Sequence, residues 1–214
     1  MKFGMIGAGT LSQAIASHPL KAGHEVVFSN SRGPDSLTEL VERLGRGASA
    51  GTVEEAGDAD FVVLAVRWNR IRDALRALPS RPGRVLIDAT NQWAEAPPAA
   101  VPELLDVGGS ELVASLVPDA HVIKAFDNLF GPVIAADPVT PAGRRILFYA
   151  GDDADAKSGF RAVVEEFGFA PVDLGPLTMG RLMQIDGPLT GLHAVREDAP
   201  QAVPARREDA AFGG

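Results

Sequence analysis

The chain has 214 residues, 46% of them apolar and 22% charged, which suits one domain with a sizeable core, or one domain with a small appendage. Acidic residues outnumber basic ones 28 to 20, so the chain is a poor partner for nucleic acid, although locally placed cations or N–H groups can still hold an anion. There is no cysteine, which excludes disulfides, thiolate metal sites and cysteine nucleophiles.

The opening Lys2–Ile6 reads as a short apolar strand. No leader pattern precedes it and no apolar run is long enough to span a bilayer. The expectation is therefore a soluble cytoplasmic protein with no membrane partner. Thr10–Ala22 reads as a helix with Leu11, Ala14, Ile15 and His18 on one face, stopped by Gly23. Glu25–Ser29 is a second strand. Leu37, Leu40, Val41 and Leu44 give Ser36–Leu44 a helical period, and Gly47–Gly51 reads as a weak third strand. Thr52 and Glu55 have the spacing of a capping box. Phe61–Val66 is continuously apolar, the mark of a strand buried on both faces.

Arg70–Leu78 is a further helix, Val85–Ala89 the fifth strand, and the proline- and alanine-rich 94–102 a loop. A helix over Ser110–Val117 leads to a sixth strand, His121–Phe126. Asn128–Gly143 holds three prolines and no period, so it reads as a long surface connection, a common place for function. Arg145–Ala150 is a seventh strand. Asp152 or Asp153 caps a helix whose stripe is Phe160, Val163, Val164 and Phe167. Pro171–Leu174 reads as a last strand and Leu177–Gln184 as a short helix. Strands and helices alternate nearly throughout, which implies an α/β fold with a doubly wound, mostly parallel sheet and a small C-terminal extension. The expected division is a nucleotide-binding domain over 1–150, a small part over 151–195 that closes a pocket, and a disordered tail over 196–214.

Gly7-Ala8-Gly9-Thr10-Leu11-Ser12 lies between the first strand and the first helix. There, Gly7 permits a tight turn, Gly9 lets a pyrophosphate approach the backbone, and the helix N-terminus offers free N–H groups. Ser12 stands where such Rossmann-type turns carry a third glycine or alanine. The bland alternative is a βα turn with no ligand. The second strand argues against that alternative. Its end reads Asn30-Ser31-Arg32-Gly33-Pro34, with no acid for a ribose 2′-hydroxyl and with a hydroxyl and a guanidinium suited to a 2′-phosphate. The cofactor so implied is NADP(H), unless Arg32 is simply a solvated loop residue.

Ligands of open α/β sheets bind beyond the carboxyl ends of the strands. The residues there are Ala65, Val66, Arg67 and Trp68, then Thr90 and Asn91, then Lys124, Ala125, Phe126 and Asp127. Asn91 could cap a turn. Lys124 could be a general acid or only a surface charge. Trp68 could stack on a ring or pack beneath a loop. His18, His24, His121 and His193 have no metal-ligand spacing and read as structural.

The segments IGAGTLSQAIA, NSRGP, LAVRW, DATNQW, VIKAFDNL, FYAGDD and GRLMQIDGPLTGL follow one another in an order that resembles the coenzyme F420-dependent NADP oxidoreductases, over about residues 1–193. The resemblance implies direct hydride transfer between NADP(H) and the deazaflavin F420, by alignment of two rings and without a catalytic acid or base, in a homodimer. It implies that Thr10 and Leu11 sit on the phosphates and Ser31 and Arg32 on the 2′-phosphate. Val66, Asn91 and Ala125 would border the nicotinamide, and Gly187-Pro188-Leu189 would help close the deazaflavin pocket. Trp68 and Phe126 belong to the same substrate side. Three residues depart from the pattern: Ser12 for glycine, Arg67 where proline is common, and Asp127 where asparagine is common. The competing readings are an NADPH-dependent reductase of another small acceptor (imine, ketone or flavin) and a non-catalytic NADP(H) sensor. The stretch after Gly151 is short for a separate substrate domain, which favours the deazaflavin reading.

Overall fold

The computed structural model describes residues 1–92, 107–185 and 187–197. The expected 94–102 loop, apart from any flank, and most of the expected tail lie outside the described residues.

Six strands run parallel: β1 (Lys2–Ile6), β2 (Glu25–Ser29), β3 (Ala48–Ala50), β4 (Phe61–Leu64), β5 (Arg84–Asp88) and β6 (Ala120–Ala125). Their spatial order is β3-β2-β1-β4-β5-β6, the dinucleotide-binding order, which reverses between β1 and β4. Helices α1 (Thr10–Lys21), α2 (Thr38–Leu44), α3 (Val53–Gly57), α4 (Ile71–Arg76) and α5 (Gly109–Leu116) make the crossovers. The chain is thus an α/β protein of Rossmann type.

Side chains alternate across the sheet with the period of two that a pleated strand imposes. Phe3, Met5, Phe61, Val63, Ile87 and Ile123 join Ala14 and Ile15 of α1 in one buried cluster. Ile6, Val62, Leu64, Leu86 and Val122 join Ile71 and Leu75 of α4 and Val113 of α5 in another. Both faces are therefore covered, which explains why β4 is apolar without interruption. The expected capping box forms: Glu55 N donates to Thr52 Oγ1 at 3.1 Å, and Thr52 N donates to Glu55 Oε2 at 2.7 Å.

Asn128–Gly143 differs from the expectation. It contains α6 (Gly131–Ala135) and the two-residue β7 (Val139–Thr140). The prolines hid the helix, because Pro132 occupies the first turn, where its missing N–H costs nothing. Ile134 of α6 is fully buried on α1, and His18 Nε2 lies 2.6 Å from its carbonyl oxygen. The sheet continues through β8 (Gly143–Gly151), antiparallel to β6, and β9 (Ala170–Asp173), parallel to β8. Helix α7 (Ala154–Glu166) joins these two, capped by Asp153, whose Oδ1 accepts from Ala156 N at 2.8 Å.

The short helix read over Leu177–Gln184 is a 3₁₀ helix over Leu177–Leu182. The final strand is not β9 but β10 (Val195–Arg196), antiparallel to Arg144 and Arg145 of β8. The chain is still paired at Arg196, where the tail was expected to begin. A two-residue backbone pairing leaves no side-chain pattern to read.

Candidate functional site

Gly7 has φ +111°, and a Cβ there would lie 2.4 Å from the Ala65 carbonyl oxygen, so neither the backbone angle nor the space admits another residue. Its N–H donates to Ser29 O at 3.0 Å, tying the turn to the end of β2. Gly9 is different. It caps α1 with no side-chain hydrogen bond, no acid follows in the first turn, and a Cβ there would meet nothing within 4 Å. The result is an open cradle of uncapped N–H groups at a positive dipole end, which fits a phosphate. Ser12 is fully buried and its hydroxyl donates to Gly7 O at 2.6 Å. The departure from glycine thus braces the turn from beneath.

At the end of β2, Asn30 Oδ1 accepts from Arg32 N at 2.8 Å, and Asn30 Nδ2 donates to Ser36 Oγ at 2.9 Å. Asn30 therefore shapes the loop, while Ser31 and Arg32 are exposed and free to meet an anion.

A cleft of about 570 Å³ opens beyond the carboxyl ends of β1, β4, β5 and β6. Of the residues singled out in the sequence, it brings together Gly9, Thr10, Leu11, Ala65, Val66, Arg67, Trp68 and Asn91 along its border. Asn91 locks its floor: Nδ2 donates to Asp127 O at 3.2 Å, and Oδ1 accepts from Ile185 N at 2.9 Å. Asn91 is thus more than a turn cap, since it joins β5, the β6 end and the C-terminal segment. Trp68 borders the cleft and also packs on the apolar cluster of α4 and α5.

Four expectations need correction or relocation. Lys124 is neither a surface charge nor exposed to the cleft. Its ammonium is buried, donates to Thr90 O, and lies 3.4 Å from Asp88 Oδ2 and 3.1 Å from Asp127 Oδ2. Burial opposes its charge, but the two carboxylates together outweigh that and hold its pKa above the ordinary lysine value. Ala125 is fully buried in the core, because the last strand residue still obeys the sheet's alternation. Phe126 borders the cleft, but its ring packs on Phe160 and Phe169. Its φ of +69° is the one positive value outside glycine among the described residues. It lets the chain turn at the cleft wall while the ring stays in the core. Gly187, Pro188 and Leu189 lie behind the wall rather than in it, and the next residue, Thr190, reaches it. Leu189 N donates to Leu182 O at 2.9 Å, and Gly191 N donates to Asn128 O at 2.7 Å, which anchors this turn to the β6 end.

The sequence reading missed Asn69, Asn128, Leu129, Phe130 and Gly131, which also border the cleft. It also missed Asp88, which accepts from Thr90 N at 2.9 Å, Thr90 Oγ1 at 2.6 Å and Ser110 Oγ at 2.5 Å. Burial pushes the Asp127 carboxyl up to about 7, with Lys124 opposing. Among the described residues no cluster of His, Asp and Glu could hold a metal, and no helix is long and apolar enough to cross a membrane.

Residues 2–92 match the family described as NADP oxidoreductase, coenzyme F420-dependent. The crystal structure of a hypothetical protein from Sinorhizobium meliloti is 34% identical, with a TM-score of 0.84 over 92% of this chain and 96% of that one. The structure of a putative F420-dependent NADP-reductase from Arthrobacter shares the fold at 23% identity, with a TM-score of 0.74 over 85% of this chain and 87% of that one. Metalloreductase STEAP3 of Rattus norvegicus is 28% identical over 182 residues, 84% of this chain. The chain spans about a third of that relative's length (35%). Taken with the parallel sheet order, these matches show a Rossmann-type protein of the NADP oxidoreductases, similar over residues 2–92 to those described as coenzyme F420-dependent.

Proposed function

We propose that this protein moves a hydride between NADP(H) and the deazaflavin coenzyme F420. The observation that carries the reading is one continuous cleft that starts at the uncapped end of α1 and runs along four strand ends between largely apolar walls. NADPH supplies the hydride when bound. The chain's own part is to bind, orient and exclude water. The N–H groups after Gly9 take the diphosphate, and Ser31 and Arg32 take the 2′-phosphate. Asn91 fixes the floor beneath the nicotinamide, and Val66, Trp68, Leu129 and Phe130 offer flat or apolar surface to two stacked rings. Among the described residues Arg67 is the one Lys or Arg bordering the cleft, and the one acid there, Asp127, is turned inward. Ring alignment needs no proton-transfer side chain at the reacting carbon.

A second reading has one observation in its favour. A single cation at the cleft among the described residues is sparse provision for an anionic acceptor, and a neutral imine or ketone needs none. The test mixes purified protein, NADPH and F420 and follows loss of the oxidised deazaflavin absorbance, with a parallel panel of cyclic imines and ketones. The expected result is turnover of F420. NADPH binding without F420 turnover, together with reduction of a panel member, replaces the first reading by the second.

A further inference from the structure

Two buried carboxylates, Asp88 and Asp127, face one buried ammonium, Lys124, and all three side chains are shut off from solvent. If both acids ionise, one negative charge is left over in a place where an uncompensated charge is costly. The two acids are not equivalent. Asp88 accepts three hydrogen bonds, from Thr90 N, Thr90 Oγ1 and Ser110 Oγ, so its oxygens are well satisfied. Asp127 has the Lys124 contact at one oxygen, and neither of its oxygens has a well-formed hydrogen bond among the described residues. Asp127 is therefore where the extra proton resides.

Among the described residues, the other elements packed here bring no further charge to bear on it. Helix α5 presents Ser110, the 177–182 turn lays Gly180 over Lys124, and Arg181 of that turn pairs with Glu111 at 2.8 Å. Asp127 also borders the cleft beside Thr90, Asn91 and Asn128. This is the stretch of floor assigned above to the nicotinamide, and the inference rests on that reading.

We propose that Asp127 is a proton-linked site that sets the cleft's preference between the two redox forms of the nucleotide. It keeps its proton beneath NADPH, whose ring is neutral, and gives it up beneath NADP⁺, whose ring is a cation. A carboxylate behind a thin wall of backbone attracts that cation through a medium less polar than water, while the neutral ring gains nothing. Mass action then requires that NADP⁺ binding release protons and that the preference for NADP⁺ rise with pH, by at most about tenfold per unit for one proton. The position of Asp127's pKa near 7 puts this change in the neutral range.

The experiment measures Kd for NADP⁺ and NADPH on the full chain from about pH 5.5 to 8.5, a range that spans the neutral titration. Both nucleotides carry the same 2′-phosphate, so its own titration cancels in the ratio of the two. The ratio Kd(NADP⁺)/Kd(NADPH) is expected to fall with rising pH, by about threefold or more overall. Calorimetry in two buffers of different ionisation enthalpy is expected to show protons released with NADP⁺ and not with NADPH. Asp127→Asn leaves Lys124 and Asp88 as a neutral pair and is expected to flatten the ratio and abolish the release. A pH-independent ratio in the wild-type protein overturns the inference and leaves nucleotide binding standing. A slope that persists in the variant overturns it as well. Failure to bind either nucleotide overturns the binding reading and the inference together.

Discussion

At the end of the cleft proposed for the nucleotide, the surface is built from backbone. The residues that matter are glycines, an uncapped helix end and a loop shaped by Asn30, and almost nothing there is charged except Arg32. At the far end the floor is built from buried side chains, with Asp88, Lys124 and Asp127 holding the ends of β5 and β6 and Asn91 spanning them. The first design is cheap to fold, since uncapped N–H groups stay in water until a ligand arrives. The second stakes stability on charges out of water, and gains a floor that is fixed before any ligand binds. The two ends should therefore fail differently when altered: one in affinity, the other in folding.

Removal of the buried cation is the harshest test. Lys124→Met takes the one cation away from the buried Asp88 and Asp127 side chains, and breaking a buried ion cluster in this way typically costs about 3–5 kcal/mol. Urea unfolding at neutral pH is expected to show that loss. A change under about 1 kcal/mol would mean the cluster takes in water and is not the rigid floor described.

Gly7 and Gly9 sharpen the contrast within the nucleotide end itself. Gly7→Ala places a methyl against Ala65 O at a positive φ, and is expected to lower stability by roughly 1–3 kcal/mol. Gly9→Ala adds a methyl in open space at an ordinary φ of −76°, so its unfolding midpoint should stay within about 0.5 kcal/mol of wild type. Its NADPH affinity should nonetheless fall by about tenfold, because the methyl occupies the approach of the diphosphate. If both substitutions act on stability alone, the cradle is only a turn.

Arg32→Ala affects a single contact. A charge-assisted hydrogen bond is worth about 1.5–3 kcal/mol, so NADPH should bind tens-fold more weakly while NADH is unchanged. Fluorescence titration with both nucleotides measures it. Equal losses for the two would remove Arg32 from the 2′-phosphate.

The same division decides what could be read from the chain. Backbone sites leave local signatures: Gly7-Ala8-Gly9 between a strand and a helix, and the missing acid at Asn30–Arg32, need only their neighbours to be recognised. The doubly wound, mostly parallel sheet was legible because strands and helices alternate along the chain and β4 is apolar without interruption. The far end depends on contacts distant in sequence. Nothing near Lys124 announces that Asp88 will sit beside it, and a lysine at a strand end is as easily a surface charge. Phe126 looked like a ring for a ligand because aromatic residues at strand ends often are. Its positive φ, which turns the ring into the core, is a tertiary outcome. Helix α6 was hidden by prolines whose positions are harmless only in a first turn.

The smallest effect concerns the join between α1 and α6, which supports the cradle from behind. His18 is buried against Phe167 and Phe169, with Nε2 on Ile134 O. Burial lowers its pKa below the ordinary 6.5, with Lys21 adding to that and the Ile134 carbonyl opposing it. The unfolded chain therefore takes up this proton before the folded one does. The neutral ring's contribution is complete above pH 6.5, and it declines as pH falls below 6.5 toward the folded value. His18→Gln can donate to the same carbonyl but does not titrate. Urea unfolding of both proteins across this range should show wild type losing stability relative to the variant only below about pH 6.5, with parallel curves above it. Curves that stay parallel at acid pH would show that His18 reaches water, and that the α1–α6 join behind the phosphate cradle is looser than the packing implies.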